Sequence, residues 1–350
     1  MTEEKEIVAE ATSEVKEEAA NVMESVVRDE NAEIITLKKL IDNGVHYGHQ
    51  TRKWNPKMKP YIYCPRNGVY IIDLNKTKEG IEAAYAKLKE IVTDGGKVLL
   101  VGTKENAKEI VKEEADRSGS FYINNRWLGG ILTNFKTIRT RTRKLKDLEA
   151  AEVDGEWDKL PKKEASKLVK EKEKLAKNLE GIKEMVKVPN ALIVVDPTQE
   201  HNAILEARKL HIPVFAICDT NCDPDGIDYV IPGNDDANKS VKLIVSVLND
   251  AIVEAKGGLP EVAYLKEEGT EEVTMKDALR QADRENALRI AARREMQREK
   301  LEREKARREA FAAKREENKD GAQEIKEGEK PTKKPIRRAP KKTEEVKEGE

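Results

Sequence analysis

Five short apolar runs, at residues 98–101, 121–123, 191–195, 214–218 and 229–231, lack the alternation of apolar and polar positions that a half-exposed strand would carry. A strand that is apolar on both sides must be covered on both sides, which restricts the chain to a sheet with helices on its two faces. The intervening segments supply those helices. Ile81, Ala84, Tyr85, Leu88, Ile91 and Val92 follow a helical spacing, as do Ala203, Ile204, Ala207 and Leu210, and then Val241, Ile244, Val245, Leu248 and Ile252. Strand, helix and strand in succession predict an α/β fold with a parallel sheet and right-handed crossovers. Ahead of it, residues 61–64 and 69–74 flank Pro65-Arg66-Asn67-Gly68, and Asn-Gly between two β-prone runs predicts a hairpin.

Two regions stand apart from this pattern. Ala165, Leu168, Leu175, Leu179, Ile182 and Val186 continue steps of three and four, with Lys172 at the missing position, which is the seam of two-helix packing. The segment holding Phe135, Ile138, Leu145 and Leu148 is its expected partner, joined through Asp154-Gly155 into an inserted antiparallel coiled-coil hairpin. The ends are strongly charged. Residues 1–33 carry 11 acidic residues against 3 basic and read as a disordered leader, whereas 274–315 reads as a long solvated helix with favourable Glu-to-Arg spacings. Beyond it, 331–343 is basic, rich in proline and expected to be disordered. The expected division is a leader at 1–33, an α/β core at 34–132 and 187–258, the hairpin at 133–186 and a charged extension at 259–350.

The apolar runs are strand-length, too short to span a bilayer, and the start lacks a secretory pattern, so a cytoplasmic protein is expected. Cys64, Cys218 and Cys222 do not form a disulfide framework. Overall charge is balanced, 66 basic against 67 acidic residues, but its distribution is not. From Asn43 to Ile72, Arg52, Lys53, Lys57, Lys59 and Arg66 meet no acidic residue, and Tyr47, Trp54, Tyr61, Tyr63 and Tyr70 are interleaved. Cations that neutralise phosphates, beside rings able to stack on bases, suit RNA. A second basic cluster follows Asn124-Asn125-Arg126-Trp127-Leu128-Gly129-Gly130, with Lys136, Arg139, Arg141, Arg143, Lys144 and Lys146 on a helix surface.

A nucleotide- or phosphoester-binding enzyme is the alternative, because Val195-Asp196 and Cys218-Asp219 stand where strands end in polar loops. It has no glycine-rich nucleotide motif, and turns and caps explain most of Asp219, Asp223, Asp225, Asp228, Asp235 and Asp236. A free coiled-coil scaffold is a third possibility. Neither His46 with His49 nor Cys218 with Cys222 completes a zinc set, so no metal or cofactor is expected.

The runs Gly44-Val45-His46-Tyr47-Gly48-His49, Arg52, Trp54-Asn55-Pro56-Lys57-Met58, Arg66-Asn67-Gly68, Val101-Gly102-Thr103-Lys104, Arg126-Trp127-Leu128-Gly129-Gly130, Gly181-Ile182-Lys183 and Ile231-Pro232-Gly233-Asn234-Asp235-Asp236-Ala237 resemble, in order and spacing, the family of bacterial small-subunit ribosomal protein number two. The resemblance spans roughly 34–256 and leaves both charged ends outside. It implies a flavodoxin-like or Rossmann-like core and a structural, non-enzymatic component of the small ribosomal subunit. It also implies contact with 16S rRNA near the head–body junction and help in docking ribosomal protein number one, with neither DNA nor membrane as partner. The implied RNA contacts are Arg52, Lys53, Trp54, Lys57, Arg66, Arg126, Trp127 and the basic helix after Asn134, to which the charge pattern adds Lys59.

Overall fold

The computed structural model describes residues 33–155, 157, 161–265 and 274–324. Residues 1–32 of the acidic leader and the basic terminus at 331–343 lie outside the described residues. The five apolar runs form one parallel sheet from β4 (Val98–Val101), β5 (Phe121–Ile123), β6 (Ala191–Val195), β7 (Val214–Cys218) and β8 (Tyr229–Pro232). Its spatial order is β5-β4-β6-β7-β8, so the chain starts inside, steps to one edge and then winds to the other, the order of flavodoxin-like folds. The registers are simple, with Leu99 opposite Phe121, Val98 opposite Ala191, Leu192 opposite Val214 and Phe215 opposite Tyr229.

Successive side chains of these strands point to opposite faces, and both faces are buried. Leu100, Ile193, Phe215 and Ile217 pack with Ile81 and Leu88 of α2 (Leu74–Thr93), Val111 of α3 (Lys108–Ser118) and Ile244 and Leu248 of α7 (Asn238–Ala255). Leu99, Leu192, Val194 and Ala216 pack instead with Ile138 of α4 (Phe135–Val153) and with Ala203 and Ala207 of α6 (His201–Lys209). The chain is therefore α/β with helices on both faces of a parallel sheet, as its strand pattern requires. No helix among the described residues is long and apolar enough to cross a membrane.

A short helix α1 (Leu37–Asp42) precedes a separate three-stranded antiparallel sheet ordered β1-β3-β2, from β1 (Tyr47–Gln50), β2 (Ile62–Arg66) and β3 (Val69–Ile72). Asn67 and Gly68 both take positive φ, 53° and 80°, the tight turn that matches the twist of a two-residue hairpin. The β1 strand is absent from the sequence expectation, because in Tyr-Gly-His-Gln only the tyrosine favours a strand and the glycine disfavours one.

Helix α5 (Lys162–Leu179) packs on α4, tied by the Lys144–Glu171 and Glu152–Lys172 ion pairs. The seam expected to reach Val186 stops earlier. A 3-10 turn at Glu180–Ile182 follows Leu179, Ile182 is buried in it, and Val186 is 60% exposed. Gly181 supplies the reason: a Cβ there would lie 2.2 Å from the Tyr122 carbonyl oxygen and 2.6 Å from its ring. The chain turns tightly against the end of β5, so the helical period cannot continue. Gly181→Ala is expected to cost about 1–3 kcal/mol as the backbone moves away from Tyr122, a loss measurable by urea unfolding; a cost below about 0.5 kcal/mol would contradict this close approach.

The last helix, α8, runs from Met275 to Glu324. Its start is not the fully solvated helix expected, since Met275, Ala278 and Ala282 are buried in the same apolar cluster as Ile35 and Tyr85.

Candidate nucleic-acid interface

Two 3-10 turns, Thr51–Lys53 and Pro56–Tyr61, carry the first basic group between β1 and β2. Asn55 caps the second turn by accepting from the Lys57 N–H at 3.0 Å, with Pro56 at the position where a missing N–H costs nothing. Met58 is fully buried and pins the loop, while the Asn55 N–H donates to the Thr220 carbonyl at 2.8 Å. The polar residues around Met58 are thereby pushed outward. Arg52, Lys53 and Lys59 are exposed; Arg52 donates to Gln50, and the charge of Lys53 acts on Asp236 without a direct ion pair.

Two other cations of this group are already engaged. Lys57 reaches Asp223 at 2.8 Å and Asp225 at 2.5 Å, and these hydrogen bonds raise its pKa and lower that of Asp223. Arg66 forks onto both oxygens of Asp283 at 2.9 and 2.6 Å, which raises the Arg66 pKa and lowers that of Asp283. All five side chains are solvent-facing, where water screens such pairs and leaves them weak, so a phosphate can take the place of the carboxylate. Trp54 is half-buried, its ring 5.2 Å from that of Tyr70.

The second group lies on and before α4. Arg126, Lys136, Arg139, Arg141 and Arg143 are exposed and without an acidic partner among the described residues. Ile138, Leu145 and Leu148 bury the opposite stripe of the helix, which is why Lys136, Arg139 and Arg143 face out; Arg141 is exposed beside that stripe, on another side of the helix. Lys136, Arg139, Arg143, Lys146 and Lys183 line a groove of about 590 Å³ that also holds Asp147 and Glu184. Lys144 is half-buried and paired with Glu171, and Lys146 is paired with Glu184.

Trp127 corrects the expectation drawn from its motif. Its ring is 8% exposed and its Nε1–H donates to Glu206 at 3.0 Å, so it is a core residue with no face open to a base. Glu206 also accepts from the backbone N–H groups of Gly130, Leu132 and Thr133 and from the Thr133 hydroxyl, at 2.7 to 3.1 Å. Burial alone would raise this carboxyl, but the four N–H donors together hold it below its ordinary range. Nothing local in the sequence marks Glu206; the Trp-Leu-Gly-Gly run is the trace of a loop wrapped around a distant acceptor.

At the carboxyl edge of the sheet, where an α/β enzyme would place its substrate, the groups are mainly acidic. Lys104 sits 2.8 Å from Asp235, 2.5 Å from Asp236 and 3.9 Å from Asp196. His49 Nδ1 meets Asp219 Oδ2 at 2.7 Å, and its backbone N–H donates to the Thr220 hydroxyl at 2.9 Å. The Asp219 hydrogen bond outweighs burial and raises the His49 pKa, while burial and the charges of Asp219 and Asp196 push Asp235 up to about 7. Asp219, Asp223 and Asp228 do accept backbone N–H groups as expected, but Asp225 pairs with Lys57, and Asp235 and Asp236 hold Lys104 instead. The carboxylates here would repel a nucleotide phosphate, and Lys104 is already claimed.

A family model described as Ribosomal protein S2 matches residues 40–255, more than half of the 350-residue chain. The matched stretch holds the parallel sheet, the basic loop between β1 and β2, and the α4–α5 hairpin. It is a family of structural ribosomal proteins rather than of enzymes. With its cations displayed outward on a rigid α/β frame and its sheet edge closed by carboxylates, the chain belongs to the ribosomal protein S2 family, structural proteins of the small ribosomal subunit in the cytoplasm.

Proposed function

We propose that the chain binds small-subunit rRNA through two basic surfaces, the loop carrying Arg52, Lys53 and Lys59 and the α4 row of Lys136, Arg139, Arg141 and Arg143, joined by Arg126. The observation that carries this reading is the exposure, without a carboxylate partner among the described residues, of Lys136, Arg139 and Arg143 along one groove, with Arg141 exposed on another side of the same helix. Its mechanism is phosphate neutralisation with release of counterions, on side chains held in place by the apolar stripe behind them. Lys57, Arg66 and Lys144 join by exchanging their carboxylates for phosphates, and Trp54 offers a ring edge beside Arg52 and Lys53. Trp127 acts from inside, by holding the Arg126 loop. We further assign the site to the head–body junction of the subunit and give the chain a part in docking ribosomal protein number one. In this division of labour, 34–132 and 187–258 form the binding core, 133–186 an inserted arm and 259–350 an extension.

Purified chain titrated with 16S rRNA across a salt series tests the RNA contact. Converting Lys136, Arg139 and Arg143 to Gln should flatten the slope of log K against log salt by about two to three and weaken binding more than tenfold at low salt. An unchanged slope would remove α4 from the interface. Subunits reconstituted without the chain should retain less protein one than complete subunits, and equal retention would overturn the docking role.

A further inference from the structure

The carboxyl edge of the sheet has a charge arrangement that the RNA reading leaves unused. One nitrogen of His49 and one oxygen each of Asp219, Asp235 and Asp236 lie within 4.8 Å of one another, and Asp235 is shared with a second such group, Asp196 and Cys222. Four carboxylates thus surround Lys104 and one imidazole. A second, independent observation concerns Asp235. Its side chain is fully buried, Oδ1 accepts from Lys104, and Oδ2 has no hydrogen-bond partner. A buried carboxylate oxygen without a donor is costly unless something positive comes to it.

The orientation of His49 fits that role. Nδ1 is held against Asp219 Oδ2 at 2.7 Å, the arrangement in which a carboxylate fixes the tautomer of a metal-binding histidine and leaves Nε2 with the lone pair. Nε2 then faces Asp236 Oδ2 at 3.5 Å, with the Asn221 amide at 3.4 Å as its other neighbour. That separation suits two ligands of one small cation bonded at about 2.0–2.2 Å. An imidazole nitrogen with aspartate oxygens favours a borderline ion, whereas magnesium selects oxygen ligands and retains its waters.

We infer that His49 Nε2, Asp235 Oδ2 and Asp236 Oδ2 form a binding site for one zinc-class divalent cation, with Asp219 positioning the histidine and Lys104 acting as the built-in competitor. The Lys104 ammonium neutralises Asp235 and Asp236 when no ion is bound, and its long side chain swings away when one enters. Asp236 is exposed enough to follow the ion. Cation binding joins β1, which leads directly into the Arg52–Lys53 turn, to the ends of β7 and β8, so it stiffens the basic loop from beneath.

The test is calorimetric titration of the chelator-treated full-length chain with zinc chloride and, separately, magnesium chloride. One zinc per chain is expected, with affinity lowered at least tenfold in His49→Ala and in Asp235→Asn and unchanged in His201→Ala, an exposed control. Lys104→Met should bind zinc at least tenfold more tightly, a gain that misfolding cannot produce. Cobalt(II) in place of zinc should give visible absorption that disappears in His49→Ala. No saturable binding, equal affinity in the His49 and Asp235 variants, no gain in Lys104→Met, or magnesium binding as tight as zinc would each overturn the assignment.

Discussion

Glu206→Ala is expected to lower the free energy of unfolding by about 3–5 kcal/mol, placing it among the most damaging single changes in this chain. The carboxylate receives five donors from the Trp127–Thr133 segment, and its removal leaves the buried Trp127 and Leu132 N–H groups with no acceptor, each at a cost of about 1–3 kcal/mol if nothing relaxes, and the part-buried Gly130 and Thr133 donors without their partner. Some will find water as the loop loosens, so the total falls below a simple addition. Glu206→Gln keeps the shape but turns an amide NH2 toward other donors, and should cost about 1–3 kcal/mol. Urea unfolding of both variants checks the size and the order, and losses below about 1 kcal/mol for the alanine change would contradict this account.

The same carboxylate predicts a sign for pH. Its folded pKa lies below that of the unfolded chain, about 4.3, so its contribution is complete above that value. It is lost as pH falls through the folded pKa, because the unfolded chain then binds the proton more readily. Between pH 5 and the acid limb, wild type should therefore lose more stability than Glu206→Gln does.

Arg117→Met should be comparably severe, at about 3–5 kcal/mol, because it strips the partner from two buried acids at once. The guanidinium donates to Asp250 at 2.6 Å and to Glu114 at 2.8 Å, and also to the Ser246 carbonyl at 3.1 Å. Asp250 is fully buried and its other oxygen receives the N–H groups of Val262 and Ala263. Glu114 is held by Ser246 and Asn249. This one cation therefore joins α3, α7 and the segment after α7. A double-mutant cycle with Glu114→Gln should show coupling of about 1–3 kcal/mol, since removing the acid relieves part of the burden left by removing the base. Strict additivity would mean that the two residues do not share a network.

What could be read from the chain without its structure follows from distance along it. The parallel sheet was legible because runs such as Ala-Leu-Ile-Val-Val declare burial on both faces within five residues. The α4–α5 hairpin was legible from its periodicity, but its end was not, because the stop at Leu179 depends on Tyr122 crowding Gly181. The cations were visible from their acid-free surroundings. Which of them are engaged was hidden, since Lys57 meets Asp223 and Asp225 and Arg66 meets Asp283, and so was the burial of Trp127 against Glu206; all these partners are far away in sequence. His49 and Asp235 likewise read as isolated residues until folding brings their loops together.

The pairing of β4 directly with β6 also governs how the chain can be made. Val98 leaves a translating ribosome long before Ala191, its neighbour in the sheet, and everything between them must be synthesised first. At about 5–20 residues per second, that interval lasts about 5–20 s, during which β4 has only β5 beside it and a bare hydrogen-bonding edge on the other side. The nascent protein therefore passes through a sticky adolescence, and whatever shelters that edge until residue 195 emerges decides how much of it survives to maturity.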